Sequence, residues 1–279
     1  MRKLFAVIIL LFSYLNGYCQ TDSSKTEVII IGTMHYGNKY FNHKTLYQLI
    51  DSLNPDIILN ESNNPHKQVF GLNAIRFLKI FKPSIEQLTL QTFKKRNKSI
   101  LILPFDTTFQ NPKATKNLLK AEYRARVKYI KKETKTESRV FDSLYIAKKD
   151  AADSIKLSTY ITKRNKLNGS LREMKLGEIN DPQIYNTAGE IIKDDEVIIL
   201  PFIKKYVKDT TLYKEFESNL SFWNERNNFM VSQIENIAKS NPKKRIIVLT
   251  GLYHKYFLVN KLSNQNRNNI RLTALGKEI

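Results

Sequence analysis

Short apolar runs and longer stretches of helical spacing alternate along the chain. "EVIII" at 27–31 is an unbroken apolar run rich in Val and Ile, the pattern of a strand buried on both faces. Leu46, Leu49, Ile50 and Leu53 then recur at helical spacing over 44–53, and Asn54-Pro55 ends that helix. "DIILN" at 56–60 predicts a second strand running into Glu61. Residues 71–96 read as mostly helical with a break at Lys82-Pro83, and "SILIL" at 99–103 as a third strand running into Pro104-Phe105-Asp106. From 113 to about 162 the chain is polar, basic and free of Pro and Gly, which predicts one or two long helices. Residues 165–189 ("LNGS", "NDP", "TAGE") read as turn-rich, a stretch with room for the most mobile segment.

"EVIILPF" at 196–202 has strand composition, but Pro201 and the helical residues after it argue the other way. Residues 212–239 predict a helix with Leu220, Trp223, Phe229, Met230, Ile234 and Ile237 on its apolar face, ended by Asn241-Pro242. A fourth clear strand covers 245–250, a helix 256–262 and a last strand 270–275. This alternation predicts an α/β fold: a mostly parallel β-sheet flanked by helices, with a long basic helical insertion at about 110–190. No repeat of fixed period is visible.

The amino-terminal end breaks the pattern. A basic Met1-Arg2-Lys3, an apolar run over 4–15 and a polar Asn16-Gly17-Tyr18-Cys19-Gln20 have the layout of a secretory signal peptide. The expected organisation is therefore a signal peptide at 1–19 and a single domain at 20–279, with the protein exported to a periplasmic or extracellular space. Lipid anchoring through Cys19 is the competing reading, and the bulky Tyr18 before it argues against a lipobox. Cys19 is the only cysteine, so no disulfide framework is expected. The apolar run is too short for a transmembrane helix, and none is expected in the mature chain.

Composition adds one feature. At 279 residues and 42% hydrophobic the chain has enough material for one large core. Its net charge is +20, and residues 113–175 carry 18 Lys and Arg against 7 Asp and Glu. That basic region reads as a solvated helical face, or as a surface for an anionic partner. Nucleic acid is not expected, because aromatic interleaving and a recognised motif are missing.

Sites on parallel sheets form just past the carboxyl ends of the strands. Four polar residues stand at predicted strand exits: His35, Glu61, Asp106 and His254. The histidines share a context, Gly-x-x-His after an apolar strand, with Gly32 and Gly251 as the motif glycines. The other two histidines, His43 and His66, lie in polar loop sequence and read as surface residues, with His43 able to fold back over the site. Two imidazoles and a carboxylate suit a divalent transition metal such as manganese, cobalt, zinc or iron. His35, His254 and Glu61 are the candidate ligands. Glu61 and Asp106 are alternatively catalytic carboxylates, or caps of the helices next in the chain. Arg226, on a helical stripe with Trp223 and Met230, is expected to be partly buried. It would then need an anionic partner: a reacting oxyanion, a substrate carboxylate, or structurally Glu61.

This ordered set resembles the TraB/TIKI-like superfamily: Gly32 to His35 after one strand, Glu61 after the next, Arg226 with Met230 on a late helix, then Gly251 to His254. Erythromycin esterase-like and ChaN-like proteins look like distant members. The resemblance implies two pseudo-symmetric halves, with His35, His254, Glu61 and Arg226 converging on one site. It further implies a metal-dependent hydrolase of peptide or ester bonds, with a peptide or small ester as substrate. Haem or iron binding without turnover is the alternative that the ChaN-like likeness implies. An envelope adaptor, binding an anionic partner through its basic helices, is a third reading.

Overall fold

The computed structural model describes residues 25–35, 37–61, 84–106, 151–206, 210–263, 269–275 and 277–278. The predicted helices over 113–150 and 71–83, the signal peptide and His66 lie outside these residues. Among the described residues no helix is long and apolar enough to cross a membrane.

The chain is an α/β protein built on one sheet. Its strands are β1 (Thr26–Thr33), β2 (Ile57–Asn60), β3 (Leu101–Pro104), β4 (Arg245–Gly251), β5 (Ile270–Ala274) and β6 (Lys277–Glu278). Their spatial order is β3-β2-β4-β1-β5-β6. The first five run parallel, and β6 adds a two-residue antiparallel edge to β5. The order follows from hydrophobicity. β1 and β4 carry the longest apolar runs, and they sit side by side at the centre. Val28, Ile30, Ile31, Ile246, Ile247 and Val248 are all essentially without solvent contact. β3 is the least apolar in its setting, and its Leu101 is exposed on an outer strand.

Helices cover the sheet: α1 (His43–Leu53), α2 (Ile85–Arg96), α3 (Ala151–Leu171), α4 (Leu176–Ile179), α5 (Pro182–Asp194), α6 (Leu200–Tyr206), α7 (Thr210–Ser240) and α8 (Leu252–Ser263). Local sequence fixes several of their ends. Asn42 and Ser84 each form a capping box, with Thr45 and Gln87 respectively. Asn54 closes α1 in the left-handed conformation.

One expectation fails and one open reading is decided, each for a physical reason. Residues 165–189 are not turn-rich: α3 continues to Leu171, and α4 and α5 come after it. The polar residues that suggested turns are caps and tertiary donors. Asp181 caps α5 and Pro182 occupies its first turn, where a missing N–H is harmless. The Asn180 side chain bonds both backbone groups of Gly32, taking its N–H at 2.7 Å and donating to its carbonyl at 3.0 Å. Buried Leu176, Ile179, Tyr185, Ala188 and Ile191 pin the segment to the core. Residues 196–202, open between strand and helix in the sequence, are helical. A π turn (Asp195–Ile199) leads into α6. Pro201 cannot donate to the carbonyl of Val197, and the wider turn just before it absorbs that missing bond. Ile199, Phe202 and Ile203 are buried there, so the apolar residues serve a helix face.

The loop after β1 carries one obligatory glycine. Gly37 has φ +64°, and a Cβ on it would lie 2.0 Å from Ile85 Cδ1 and 2.5 Å from the Phe41 carbonyl oxygen. Gly37→Ala is expected to lower stability by about 1–3 kcal/mol. The loss is read from urea unfolding, and a variant as stable as the parent contradicts the loop conformation described.

Candidate functional site

Parallel strands put all their carboxyl ends on one edge of the sheet, and the register places the two Gly-x-x-His motifs together. Gly32 of β1 pairs with Thr250 of β4, and Thr33 pairs with Gly251. Asn60 of β2 lies against Leu249 on the other side of β4, so Glu61 leaves its strand beside Thr250. The motifs are neighbours in space but differ in conformation. After Gly251 the helix formers of 252–263 start α8 at once, which puts His254 in the first turn of that helix. After Thr33 the chain makes a loop around Gly37, and His35 sits in it.

Gly251 marks the point of convergence. A Cβ there would come within 3.7 Å of His254 Cδ2, 3.8 Å of Glu61 Oε1 and 3.9 Å of His35 Nε2. Glycine leaves this space open to whatever the three side chains hold.

Each imidazole is gripped from behind through Nδ1. His254 Nδ1 lies 2.7 Å from Asn227 Oδ1. Asn227 Nδ2 donates to the Trp223 carbonyl at 2.8 Å, so its Oδ1 faces the ring and His254 must donate. Nε2 then carries the lone pair. Trp223 stacks on the His254 ring at 3.9 Å, with 18° between the planes. His35 Nδ1 lies 3.2 Å from Glu86 Oε1. The same oxygen accepts from the Thr33 hydroxyl at 2.5 Å. The start of α2 also holds the His35 main chain, since the Ile85 N–H donates to its carbonyl at 3.1 Å.

Glu61 is anchored to β4. Its Oε1 accepts from the Thr250 hydroxyl at 2.5 Å and the Gly251 N–H at 2.6 Å. Its Oε2 faces Arg226 Nη2 at 3.5 Å. Arg226 in turn makes a two-pronged bond to Asp106, Nε to Oδ1 at 2.9 Å and Nη2 to Oδ2 at 2.7 Å. Asp106, at the exit of β3, is 1% exposed.

Burial raises the cost of ionising Glu61, but His254, His35 and Arg226 beside it and the Thr250 bond outweigh that, holding its pKa at about 2. Burial lowers the His254 pKa to about 4. Glu61 and Asp106 push it up, and Arg226 and His35 push it down. The Glu86 carboxyl is also held below the usual range: burial opposes ionisation, and the His35 and Thr33 bonds favour it. At neutral pH Glu61 is therefore a carboxylate and His254 a neutral imidazole, the forms in which both groups ligate metals. Two of the buried carboxylates, Glu61 and Asp106, share the Arg226 guanidinium, while Glu86 faces His35 and Thr33. Among the described residues no three His, Cys, Asp or Glu side chains already stand at separations that would enclose an ion. His35, with a side chain 53% exposed, is the least confined of the three donors.

The site thus unites His35, His254 and Glu61, with Arg226 linking Glu61 to Asp106. His43 instead begins α1, and its carbonyl accepts from Thr89. Sequence reasoning misses Glu86, Asn227 and Thr250, and gives Trp223 only an apolar-face role. Asn227 is discoverable, because it comes directly after Arg226 and falls on the inward stripe of α7 with Trp223 and Met230. Glu86 has only the Ser84–Gln87 capping pair to mark its helix start. No protein family, curated protein or solved structure matches this chain.

Removing the Arg226 guanidinium takes the cation away from buried Asp106 and Glu61. Arg226→Leu is expected to cost about 3–5 kcal/mol, measured by chemical unfolding at neutral pH; a neutral effect would show that the pair is dispensable. Acid sensitivity has a definite sign. His254 titrates near 4 when folded and near its ordinary 6.5 when unfolded, so the unfolded chain binds more protons between those values. Stability is expected to fall as pH drops through that window, and again between 4.5 and about 2 as Glu61 protonates. The slope approaches about 1.4 kcal/mol per pH unit for each group. His254→Asn should flatten the upper window, which urea midpoints at several pH values would test.

Proposed function

We propose that the chain is an exported, metal-dependent hydrolase acting on peptide or ester bonds. The observation that carries this reading is the open position at Gly251, ringed by His35 Nε2, Glu61 and His254 within 4 Å of one point. The donor chemistry fits a divalent ion: two imidazoles, each anchored through Nδ1, and an ionised carboxylate. His35, His254 and Glu61 would hold it. Manganese, cobalt, zinc and iron all suit such ligands. A bound ion would supply Lewis-acid polarisation of a substrate carbonyl.

The chain's own residues do the rest. Asn227 and Trp223 fix the ring of His254, the first by its hydrogen bond and the second by stacking. Thr250 and the Gly251 N–H hold Glu61 Oε1, which keeps Oε2 turned toward Arg226. With a pKa of about 2, Glu61 is a poor proton acceptor at neutral pH, so a ligand role suits it better than that of general base. Arg226 has Nε and Nη2 engaged by Asp106, which suits an electrostatic role beside Glu61 more than a clamp on a substrate carboxylate. The polar surroundings of both histidines favour an ion over haem, which needs a wide apolar pocket. The motif likeness to TraB/TIKI-like proteins supports the same reaction class. Export rests on the layout of residues 1–19, and the basic stretch 113–175 would draw acidic substrates.

The test compares the full-length chain with the His35→Ala/His254→Ala double variant. Each is melted with manganese, cobalt, zinc or ferrous iron and with haem, and then given a panel of peptides and esters. A binding ion at about 100 times its Kd should stabilise the parent by about 2.7 kcal/mol, and both this shift and turnover should vanish in the variant. A haem-specific shift, or no ion effect on either protein, would overturn the proposal.

A further inference from the structure

Glu86 has no place in the proposed ligand set, yet it is 4% exposed and one of its oxygens is in contact with His35. Its other oxygen, Oε2, is buried and has no hydrogen-bond partner among the described residues. A buried carboxylate with half of its acceptor capacity unused is a poor stabilising element, because its desolvation is only partly repaid by hydrogen bonds. A fold selected for stability alone would do as well with an apolar side chain there. What Glu86 does accomplish is local and directional. The Thr33 hydroxyl holds Oε1 from the strand side, and Thr33 lies 3.0 Å from the Thr250 carbonyl oxygen across the β1–β4 pair. The Ile85 N–H holds the His35 carbonyl. Oε1 is thereby fixed against Nδ1 while Nε2 of the same ring lies on the Gly251 side.

We propose that Glu86 is a positioning residue, which keeps the His35 proton on Nδ1 and so leaves Nε2 unprotonated toward the point shared with His254 and Glu61. A carboxylate only accepts, so a neutral imidazole facing it must donate from Nδ1. The two histidines then match in tautomer although their supports differ: an amide from α7 behind His254, a carboxylate from α2 behind His35. His35 needs the stronger acceptor because it sits in a loop with its side chain half-exposed, whereas His254 is enclosed by helix and Trp223. An unprotonated Nε2 serves either as a metal ligand or as a proton acceptor toward substrate. The inference therefore rests on the convergent site of the proposed function, but not on which of those two roles His35 takes.

The experiment reads the tautomer directly. Long-range proton–nitrogen correlation spectra of the nitrogen-15-labelled full-length chain are recorded at about pH 8, where an ordinary imidazole is neutral. The His35 signals are assigned with His35→Gln. The parent should show His35 protonated at Nδ1. Glu86→Leu should move the proton to Nε2, and Glu86→Gln, which keeps an acceptor oxygen, should retain it on Nδ1. Glu86→Leu should also melt at or above the parent temperature while zinc affinity, measured by calorimetry, falls about 10–100-fold.

Nε2 protonation in the parent would overturn the inference, as would an unchanged tautomer in Glu86→Leu. So would a Glu86→Leu chain that melts well below the parent with its tautomer intact, because that is a purely structural role. If Glu86→Leu does not fold, the parent and Glu86→Gln spectra still decide. A parent that binds no zinc, manganese, cobalt or iron, yet switches tautomer in Glu86→Leu, upholds the positioning role and removes the metal hydrolase reading alone.

Discussion

The pairing of β1 with β4 is the constraint on which the rest of the structure depends. These two strands are far apart in sequence, yet they lie side by side in parallel with Gly32 opposite Thr250 and Thr33 opposite Gly251. Both are apolar along their length, so the pair is most stable where both faces are covered, at the centre of the sheet. Because they are parallel, both motifs leave from the same edge. A one-residue slip would turn every side chain of one strand to the opposite face. The buried Ile and Val rows therefore fix the register, and the register fixes where Gly251, Thr33 and Glu61 meet.

A charged cluster is built on that edge, and burial explains its form. Glu61, Asp106 and Glu86 are almost entirely removed from water, and Arg226 is partly buried. Such groups persist only when held by several donors at once. Asp106 receives both prongs of Arg226, Glu61 receives a hydroxyl, a backbone N–H and the edge of the same guanidinium, and Glu86 receives a hydroxyl and an imidazole. The cluster joins the ends of β1, β2, β3 and β4, the start of α2 and the middle of α7, which are distant in sequence. It is costly as a piece of core, and that cost is the physical ground for the ligand-binding role proposed for it.

The two histidines show how one sequence motif yields two local structures. Leu252-Tyr253-His254-Lys255 runs straight into a helix, and Lys255, buried on the opposite side of that turn, donates to Asn180 Oδ1 at 2.7 Å. Met34-His35 instead enters a loop that turns at Gly37 and is clasped by α2. The motifs are alike in the glycine and the strand end, and they part where the chain leaves the sheet, so each ring requires its own support.

Reading the residues in order was enough to find the apolar strands, the helices capped by Asn42 and Ser84, and the four strand-exit residues His35, Glu61, Asp106 and His254. Each of those signals is local, because strand burial, helical spacing and Gly-x-x-His are properties of contiguous residues. Local signals misled where polar residues served distant partners. Asn180, Asp181 and Pro182 looked like a loop because their caps and their bond to Gly32 are invisible along the chain, and 196–202 stayed open between strand and helix because its apolar residues suit either. The adjacency of the two motifs, the Arg226–Asp106 pair and the places of Glu86 and Asn227 behind the imidazoles depend on strand order and on helix packing across long separations. No periodicity encodes those, so only the tertiary structure could decide them.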